Sequence, residues 1–206
     1  MIDPSITPIS ACRFCAIDFE SAGAARGSTD TPVQVGIATW STGSTTLGHS
    51  FVSHLKTQQP IQWSAQRVHG ITPADLADAP SLAMLWPEIK RNMHDAVIVA
   101  HGKGTEKRFL RALPGHGFGP WIDTLVLARA AWPHLPDHSL GKLCDALDLT
   151  ESVSQHVPGK SWHDALFDAV ASLMVLKHLI AALDLFAQPV AHLTQPSTSA
   201  WHRSRK

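Results

Sequence analysis

The sequence has little that would direct it to a long polyanion or to a membrane. Lys plus Arg and Asp plus Glu number 17 each, so the formal net charge is zero. Proteins that coat long nucleic acids are usually basic, so this charge balance argues against that class. A neutral protein could still hold the end of a nucleic-acid strand in a local pocket. No apolar run has the length of a membrane span. The first ten residues lack the charged and apolar regions of a signal peptide, and we expect a cytoplasmic location.

Cysteine is scarce, with three residues in the chain. Cys12 and Cys15 form a C-x-x-C pattern that suggests zinc or redox chemistry, but residues three apart on a strand point to opposite faces. A structural zinc site also needs further ligands, and only Cys144 remains. We predict a reduced pair in an interior strand. The G-x-S-x-G pattern of serine hydrolases is absent as well.

Apolar stretches separated by turn residues predict the secondary structure. Three strand-like segments, 12–19, 33–40 and 45–55, are joined by short polar connections, which is typical of an antiparallel meander. Helices and strands then alternate, and a long final helix is predicted over about 161–186. The other predicted elements are a helix and turn at 64–76, helices at 81–93, 104–113 and 139–149, a strand at 96–102, and a strand becoming helical at 121–132. This order predicts an α/β fold with a mixed sheet covered by helices.

Two carboxylates lie two residues apart near the end of the first predicted strand. Asp18 and Glu20 therefore point to the same face. Buried together they repel, and a divalent cation such as Mg²⁺ or Mn²⁺ would relieve that repulsion. The alternative is a solvated strand end at which the two acids mark a turn. The D-x-E triplet is common and does not decide between these interpretations.

The final long helix begins with the segment SWHDALFDAVAS. Ser161 and Asp164 form an S-x-x-D capping pattern, which predicts that the helix starts just before His163. Asp168 lies between apolar neighbours, which favours a ligand role over an exposed position. Histidine exchanges a proton near neutral pH, so His163 is a candidate base. The alternative is an ordinary capped helix with an exposed His and Asp.

A third segment, VIVAHGKGTEKRFL, begins as a buried strand ending near His101. Glycines then open a helix that carries Glu106. The cations Lys103, Lys107, Arg108 and Arg111 make this the most basic short stretch of the body. Cations at a helix start could receive a phosphate. For Lys107 and Arg111 a solvated helix face is the preferred interpretation.

Five motifs occur in one order along the chain. They are D-x-E-S-x-G at 18–23, HGIT at 69–72, VAHG followed by E and FL at 99–110, DTLVLAR at 123–129, and H-x-A-x-x-D at 163–168. In this order the sequence resembles the DEDDh 3′–5′ exonucleases, the family containing the polymerase III proofreading epsilon subunit, ribonuclease T and oligoribonuclease. The resemblance covers about residues 13–186. It implies the ribonuclease H-like three-layer fold, in which a mixed sheet with an antiparallel three-strand meander is flanked by helices.

The resemblance also implies roles for the matching residues. Asp18, Glu20, Asp168 and Glu106 would bind two catalytic ions, Mg²⁺ or Mn²⁺, and His163 would be the general base. The implied reaction is hydrolysis of the terminal phosphodiester of single-stranded DNA or short RNA by a two-metal mechanism.

The same resemblance suggests where the substrate lies. The residues expected to bind the terminal nucleotide are Ser21, Ala22, Gly23, His69 and His101. Phe19 either stacks on a base or belongs to the core. The expected partner is the 3′ end of a single strand. A homodimer and a polymerase partner are further possibilities that no sequence pattern specifies.

The second motif departs from the family pattern H-N-x-x-[FY]-D. Gly102 replaces Asn, Thr105 replaces the aromatic residue, and Glu106 stands where Asp is expected. The longer Glu side chain could lower or abolish activity, so the alternative function is a nucleic-acid-binding or scaffold domain of the same fold with impaired catalysis. The expected organisation is a leader at 1–11, an exonuclease domain at 12–186, and a mobile or loosely docked tail at 187–206.

Overall fold

Five strands form one mixed sheet. They are β1 (Arg13–Ser21), β2 (Pro32–Ser41), β3 (Ser50–His54), β4 (Val97–Ala100) and β5 (Trp121–Asp123). Their order across the sheet is β3-β2-β1-β4-β5. The first three strands are antiparallel, and β4 and β5 run parallel to β1. The predicted mixed sheet with an antiparallel meander is therefore confirmed.

The computed structural model describes residues 2–24, 27 and 29–205. Part of the loop predicted between β1 and β2 (Ala25, Arg26 and Ser28) lies outside the described residues, as do Met1 of the predicted leader and Lys206 of the predicted tail.

Helices cover the sheet. They are α1 (Trp63–His69), α2 (Leu82–Met93), α3 (Gly104–Leu110), α4 (Thr124–Ala131), α5 (Leu140–Ala146), α6 (Thr150–His156), α7 (Ala165–Ala182) and α8 (Thr198–Ser204). The predicted cap of α2 is confirmed, since the Ser81 side chain accepts a hydrogen bond from the Met84 N–H. Helices α6 and α8 are absent from the prediction, because these one- to two-turn helices are mostly polar and show no apolar period.

Strand β1 separates two apolar cores, because alternate side chains of a strand point to opposite faces. Phe14 and Ala16 belong to the core that contains α7, whereas Cys15 and Phe19 belong to the core under α2 and α3. Cys12 lies in the first of these cores, so the C-x-x-C pair is divided between the two faces. The described cysteines are free and buried, as the strand interpretation predicted.

Helix α7 is the central helix of the fold. Its apolar side chains face both the sheet and the helices around it, and 72% of its length is buried. By length and composition alone this helix could span a membrane, contrary to the prediction from the sequence, in which Asp168, Ser172 and Lys177 interrupt the apolar run. Core helices can have the same length and composition, and the burial of α7 fits that assignment.

The first turn of α7 lies directly on β2 at Gly36. A Cβ atom built on Gly36 would overlap the backbone of Ala165 and Leu166. A glycine inside a strand often marks such a close backbone approach. This contact determines how near the start of α7 can come to β1, whose Asp18 is the register partner of Gly36.

The two ends of the chain pair with each other over the α7 core. The Ile9 N–H donates to Gln188 O at 2.9 Å, and the Val190 N–H donates to Thr7 O at 3.0 Å. Trp201 of α8 is 1% exposed and joins the same core. The structure therefore differs from the expected loosely docked tail, because a few large apolar side chains anchor it without a periodic pattern. The domain boundaries stay a prediction.

We expect Gly36→Ala to destabilise the protein by about 1–3 kcal/mol, because the new methyl group must displace the α7 backbone. Denaturant unfolding measures this loss. Gly117→Ala is the matched control, since a Cβ there meets no atom within 4 Å and should leave stability nearly unchanged. Equal effects of the two substitutions would contradict the close approach.

We expect Trp201→Ala to lower the free energy of unfolding by about 3–5 kcal/mol, as for other buried Trp truncations. Trp63→Ala makes the same chemical change at a side chain that is 70% exposed, and it should cost little. Urea titrations of both variants measure the two free energies of unfolding. A Trp201 variant as stable as the Trp63 variant would show that the tail does not contribute to the folded core.

Candidate active site

Asp18 and Glu20 lie near the end of β1 and face the α7 side of the sheet. Both are half-buried. Their register partners on β2 are Gly36 and Gln34, the two positions that lie under the start of α7. Period-two alternation places both carboxylates on one face of β1, as the sequence predicted, and the structure places that face at the junction of β1, β2 and α7.

The start of α7 differs from the prediction. The helix begins at Ala165 with Asp164 as its N-cap, and the Asp164 carboxylate accepts a hydrogen bond from the Leu166 N–H. His163 precedes the helix and has a left-handed backbone with φ 67°. The S-x-x-D pattern marked a turn before the helix, because the Asp164 N–H donates to Ser161 O in that turn.

This turn brings His163 back towards Asp168. The His163 N–H donates to Asp168 Oδ2 at 3.3 Å. One ligand atom from each of Glu20, His163 and Asp168 lies within 4.8 Å of the others, a grouping that could hold a metal ion. The remaining oxygen of Asp168, Oδ1, is buried and has no hydrogen-bond partner among the residues that the structure describes.

The clustered acids strongly perturb one another. Burial, followed by the charges of Asp168 and Glu106, raises the pKa of Asp18 well above its usual value. Burial and then the Asp168 charge raise the pKa of Glu20 to about 8. Burial raises the pKa of Asp168 to about 7, although the hydrogen bond from His163 opposes this. Without a cation, these carboxyl groups retain protons near neutral pH.

Glu106 lies on α3, which packs against β1. It is 4% exposed, and within the described part of the chain its Oε2 atom has no hydrogen-bond partner. Burial is the main cause that raises the pKa of Glu106 to about 7. Because its charge acts on Asp18, Glu106 belongs to the electrostatic environment of the site, but it is outside the close group of Glu20, His163 and Asp168.

The donor set fits a hard divalent cation. The site offers carboxylate oxygens and one imidazole, and it includes buried oxygens without partners on Asp168 and Glu106. Oxygen-rich sites of this kind suit Mg²⁺ or Mn²⁺ better than thiol-seeking metals. A cation would also stabilise the ionised forms of these acids, which burial and, after it, mutual repulsion disfavour.

The loop after β1 is held close to the acids. Ser21 O pairs with His69 Nε2 at 3.1 Å, and His69 Nδ1 accepts a hydrogen bond from the Ile71 N–H. His69 is therefore neutral with its proton on Nε2, and burial lowers its pKa. Ala22 is fully buried, and Gly23 has φ 81°. His69 thus supports the strand end, and the substrate-binding roles of these residues stay a prediction.

Two other predicted substrate contacts occupy interior positions. Phe19 is 6% exposed and meets Phe109 edge-to-face, with ring centroids 5.5 Å apart, on the opposite side of the sheet from the acids. The structure thus favours the core alternative for Phe19. His101 pairs with Thr124 Oγ1 at 3.0 Å and with His138 O at 2.9 Å, so both ring nitrogens are already used within the protein.

A cavity of about 340 Å³ adjoins the site on the side of α5. His163, Asp168 and Trp162 line it together with Asp145 and the segment 139–142. The Trp162 ring packs edge-to-face on Phe167, with centroids 4.8 Å apart. The size falls at the lower end of the range for small-molecule pockets, about 300–1,000 Å³.

Two residues that contact the start of α7 are not among the predicted site residues, namely Gln34 and Gly36. Both interrupt the apolar strand PVQVGIATW, and a polar residue and a glycine between buried neighbours are a usable signal. No role was predicted for Asp123 beyond its place in the DTLVLAR motif. Its carboxylate caps α4 and also accepts hydrogen bonds from the Gly102 and Lys103 N–H groups, which fixes the turn leading to α3.

Comparisons with known proteins agree with this geometry. The exonuclease family model (RNase_T) matches residues 15–176. A DNA polymerase III subunit epsilon-like protein of Rhodobacter capsulatus is 31% identical over 126 residues, which is 59% of this chain and 18% of that protein. Exodeoxyribonuclease 10 of Escherichia coli K12 is 35% identical over 83 residues, 40% of this chain and 34% of that protein. The matched parts thus span a minor share of both relatives.

Solved structures extend the similarity to the whole fold. Exonuclease X in complex with 5′ overhanging duplex DNA matches with a TM-score of 0.72 and 26% identity, covering 88% of this chain and 99% of that one. The nuclease domain of 3′hExo, a DEDDh family member bound to rAMP, matches with a TM-score of 0.63 and 15% identity, covering 85% and 94%. The ribonuclease H-like fold is confirmed, and the chain belongs to the DEDDh exonuclease family.

Proposed function

We propose that the protein is a metal-dependent 3′–5′ exonuclease that hydrolyses the terminal phosphodiester of single-stranded DNA or short RNA. The observation that carries this proposal is the convergence of Glu20, His163 and Asp168, from segments more than 140 residues apart in sequence, within 4.8 Å. The similarity to exonuclease X and to exodeoxyribonuclease 10 supports the reaction class.

Asp18, Glu20 and Asp168 would hold the divalent cations, with Glu106 contributing from α3. Mg²⁺ and Mn²⁺ are the proposed ions, two in number. When bound, such cations neutralise the charge that develops on a phosphodiester and make an attacking water more acidic. The unpartnered oxygens of Asp168 and Glu106 support this assignment, because buried carboxylate oxygens normally have a partner.

His163 is the proposed general base. Its ring is exposed and stands beside Glu20 and Asp168, where it can take the proton of the attacking water. The water oxygen then bonds to the terminal phosphorus, the bond from phosphorus to the 3′ oxygen breaks, and that oxygen leaves with a proton from solvent. The hydrogen bond from the His163 N–H to Asp168 keeps the imidazole at this position.

The substrate would be held locally, which a chain without net charge allows. The cavity next to His163 offers an aromatic ring on Trp162 and a cation on Lys142, the two features that single-stranded nucleic acid uses for binding. The proposal also retains either DNA or RNA as the substrate, a polymerase partner, a homodimer and a cytoplasmic location.

We expect Asp18→Asn to abolish metal-dependent nucleotide release, and His163→Ala to lower kcat about 10²–10⁴-fold by removing the base. The assay follows oligonucleotides labelled at the 3′ or 5′ end, with Mg²⁺, with Mn²⁺ or with chelator. Early release of mononucleotide from the 3′ label, before the 5′ label shortens to small products, establishes direction.

Asp184→Asn is the matched control for this assay. Asp184 is exposed beyond the far end of α7, and Asn tolerates its backbone φ of 50°. It should keep full activity. Oligonucleotide binding without any metal-dependent release by the unmodified protein would instead favour the scaffold alternative, which the Asp-to-Glu departure at Glu106 motivates.

We expect the metal-free protein to lose stability as pH rises from about 5 to about 8. The ordinary pKa values of Glu20 and Asp168 are 4.5 and 3.8, and the folded values are about 8 and 7. Across this window the folded state keeps protons that the unfolded state has lost, so the free energy of unfolding falls with pH. Mg²⁺ replaces those protons, and its stabilising effect should therefore be larger at high pH.

Thermal unfolding with and without Mg²⁺ at several pH values tests this linkage. Asp168→Asn removes one of the titrating groups and should flatten the metal-free slope. A metal effect on the melting temperature that is the same at about pH 5.5 and pH 8 would contradict the role of these carboxylates as ligands.

A further inference from the structure

We propose that Gln34 is a positioning residue, which locks the start of α7 to β2 and thereby sets the places of His163 and Asp168 relative to the acids of β1. The contacts between Gln34 and the start of α7 are observed in the structure, whereas their role in catalysis rests on the proposed function. Gln34 belongs to none of the five motifs, and it lies 129 residues before His163 in the chain.

Gln34 uses both ends of its amide on the same helix start. Its Nε2 donates to Asp164 Oδ2 at 3.2 Å, and its Oε1 accepts a hydrogen bond from the Ala165 N–H at 2.8 Å. The side chain is 4% exposed. The first N–H groups of a helix have no partner within the helix, so a side chain from the sheet that satisfies one of them fixes the helix end in place.

The register of the sheet explains why this amide matters for the site. Gln34 is the partner of Glu20, and Gly36 is the partner of Asp18. In each of these two register pairs, β1 contributes the acid, and β2 contributes a contact that positions α7 on the sheet. Gly36 allows the helix to approach, whereas Gln34 selects its rotation and its position along the strand.

Hydrogen bonds carry this position from Asp164 to the reacting groups. The Asp168 N–H donates to Asp164 O at 3.0 Å, and the His163 N–H donates to Asp168 Oδ2 at 3.3 Å. Lys160 Nζ also reaches Asp164 Oδ2, at 2.7 Å. His163 has a left-handed φ, a conformation that persists when its surroundings determine it. A displaced Asp164 would therefore move both the base and the metal ligand.

The test compares Gln34→Met with Thr39→Val. Met has a similar length and removes both hydrogen bonds. Thr39 also lies on β2 and is 4% exposed, but its hydroxyl bonds to His49 O, so its loss weakens the same strand without touching α7. We expect Gln34→Met to weaken Mn²⁺ binding about 10–100-fold, as for other residues that orient metal ligands, and Thr39→Val to leave it unchanged.

Three readouts separate positioning from simple loss of stability. Calorimetric titration with Mn²⁺ gives the affinity, hydrogen exchange reports protection of the Ala165 amide, and initial rates over oligonucleotide concentration at a fixed Mg²⁺ concentration give kcat and KM. For Gln34→Met we expect faster Ala165 exchange, weaker Mn²⁺ binding and a lower kcat, with KM for the oligonucleotide close to that of the unmodified protein.

The outcomes also distinguish this proposal from the proposed function. Weaker Mn²⁺ binding and faster Ala165 exchange in Gln34→Met, in a protein that releases no nucleotide, would support positioning and refute the exonuclease activity. An active protein in which Gln34→Met and Thr39→Val behave alike in Mn²⁺ affinity and Ala165 exchange would refute positioning and leave the exonuclease intact.

Discussion

The close contact between the first turn of α7 and β2 at Gly36 is the constraint on which the rest of the structure depends. The acids of β1 point towards α7, but they meet Asp168 only if the helix lies against the sheet. Any side chain at position 36 would overlap the helix backbone. A site built from both ends of the domain therefore depends on one missing Cβ atom, and the apolar core on the same face supplies the stability that holds α7 there.

The second constraint is electrostatic. Asp168 lies in the first turn of α7, where the helix dipole favours a negative charge. This field and the hydrogen bond from His163 do not compensate for the burial of Asp168, because its pKa still rises to about 7. On β1, burial and the Asp168 charge raise the pKa of Glu20 to about 8. The fold thus holds together carboxyl groups that repel when ionised. Protons relieve the repulsion in the metal-free protein, and divalent cations would relieve it more fully at neutral pH.

Much of the fold and part of the site could be predicted from the sequence. The strand period placed Asp18 and Glu20 on one face, and the same period puts Phe19 on the other, so the core position of Phe19 was readable too. The first residue of α7 was harder to predict from the sequence, because an S-x-x-D pattern occurs in turns as well as in helix caps. The left-handed backbone of His163 had no sequence signal, since non-glycine residues adopt it through tertiary contacts.

Glu106 bears most directly on the choice between an enzyme and a scaffold. A protein that used only the fold would be more stable with an apolar side chain at this buried position, because an unpartnered polar group costs about 1–3 kcal/mol. Glu106 nevertheless has a buried oxygen without a partner, and its charge acts on Asp18. A buried acid whose charge opposes the ionisation of a neighbouring acid is expected where a cation completes the site, which favours the enzyme.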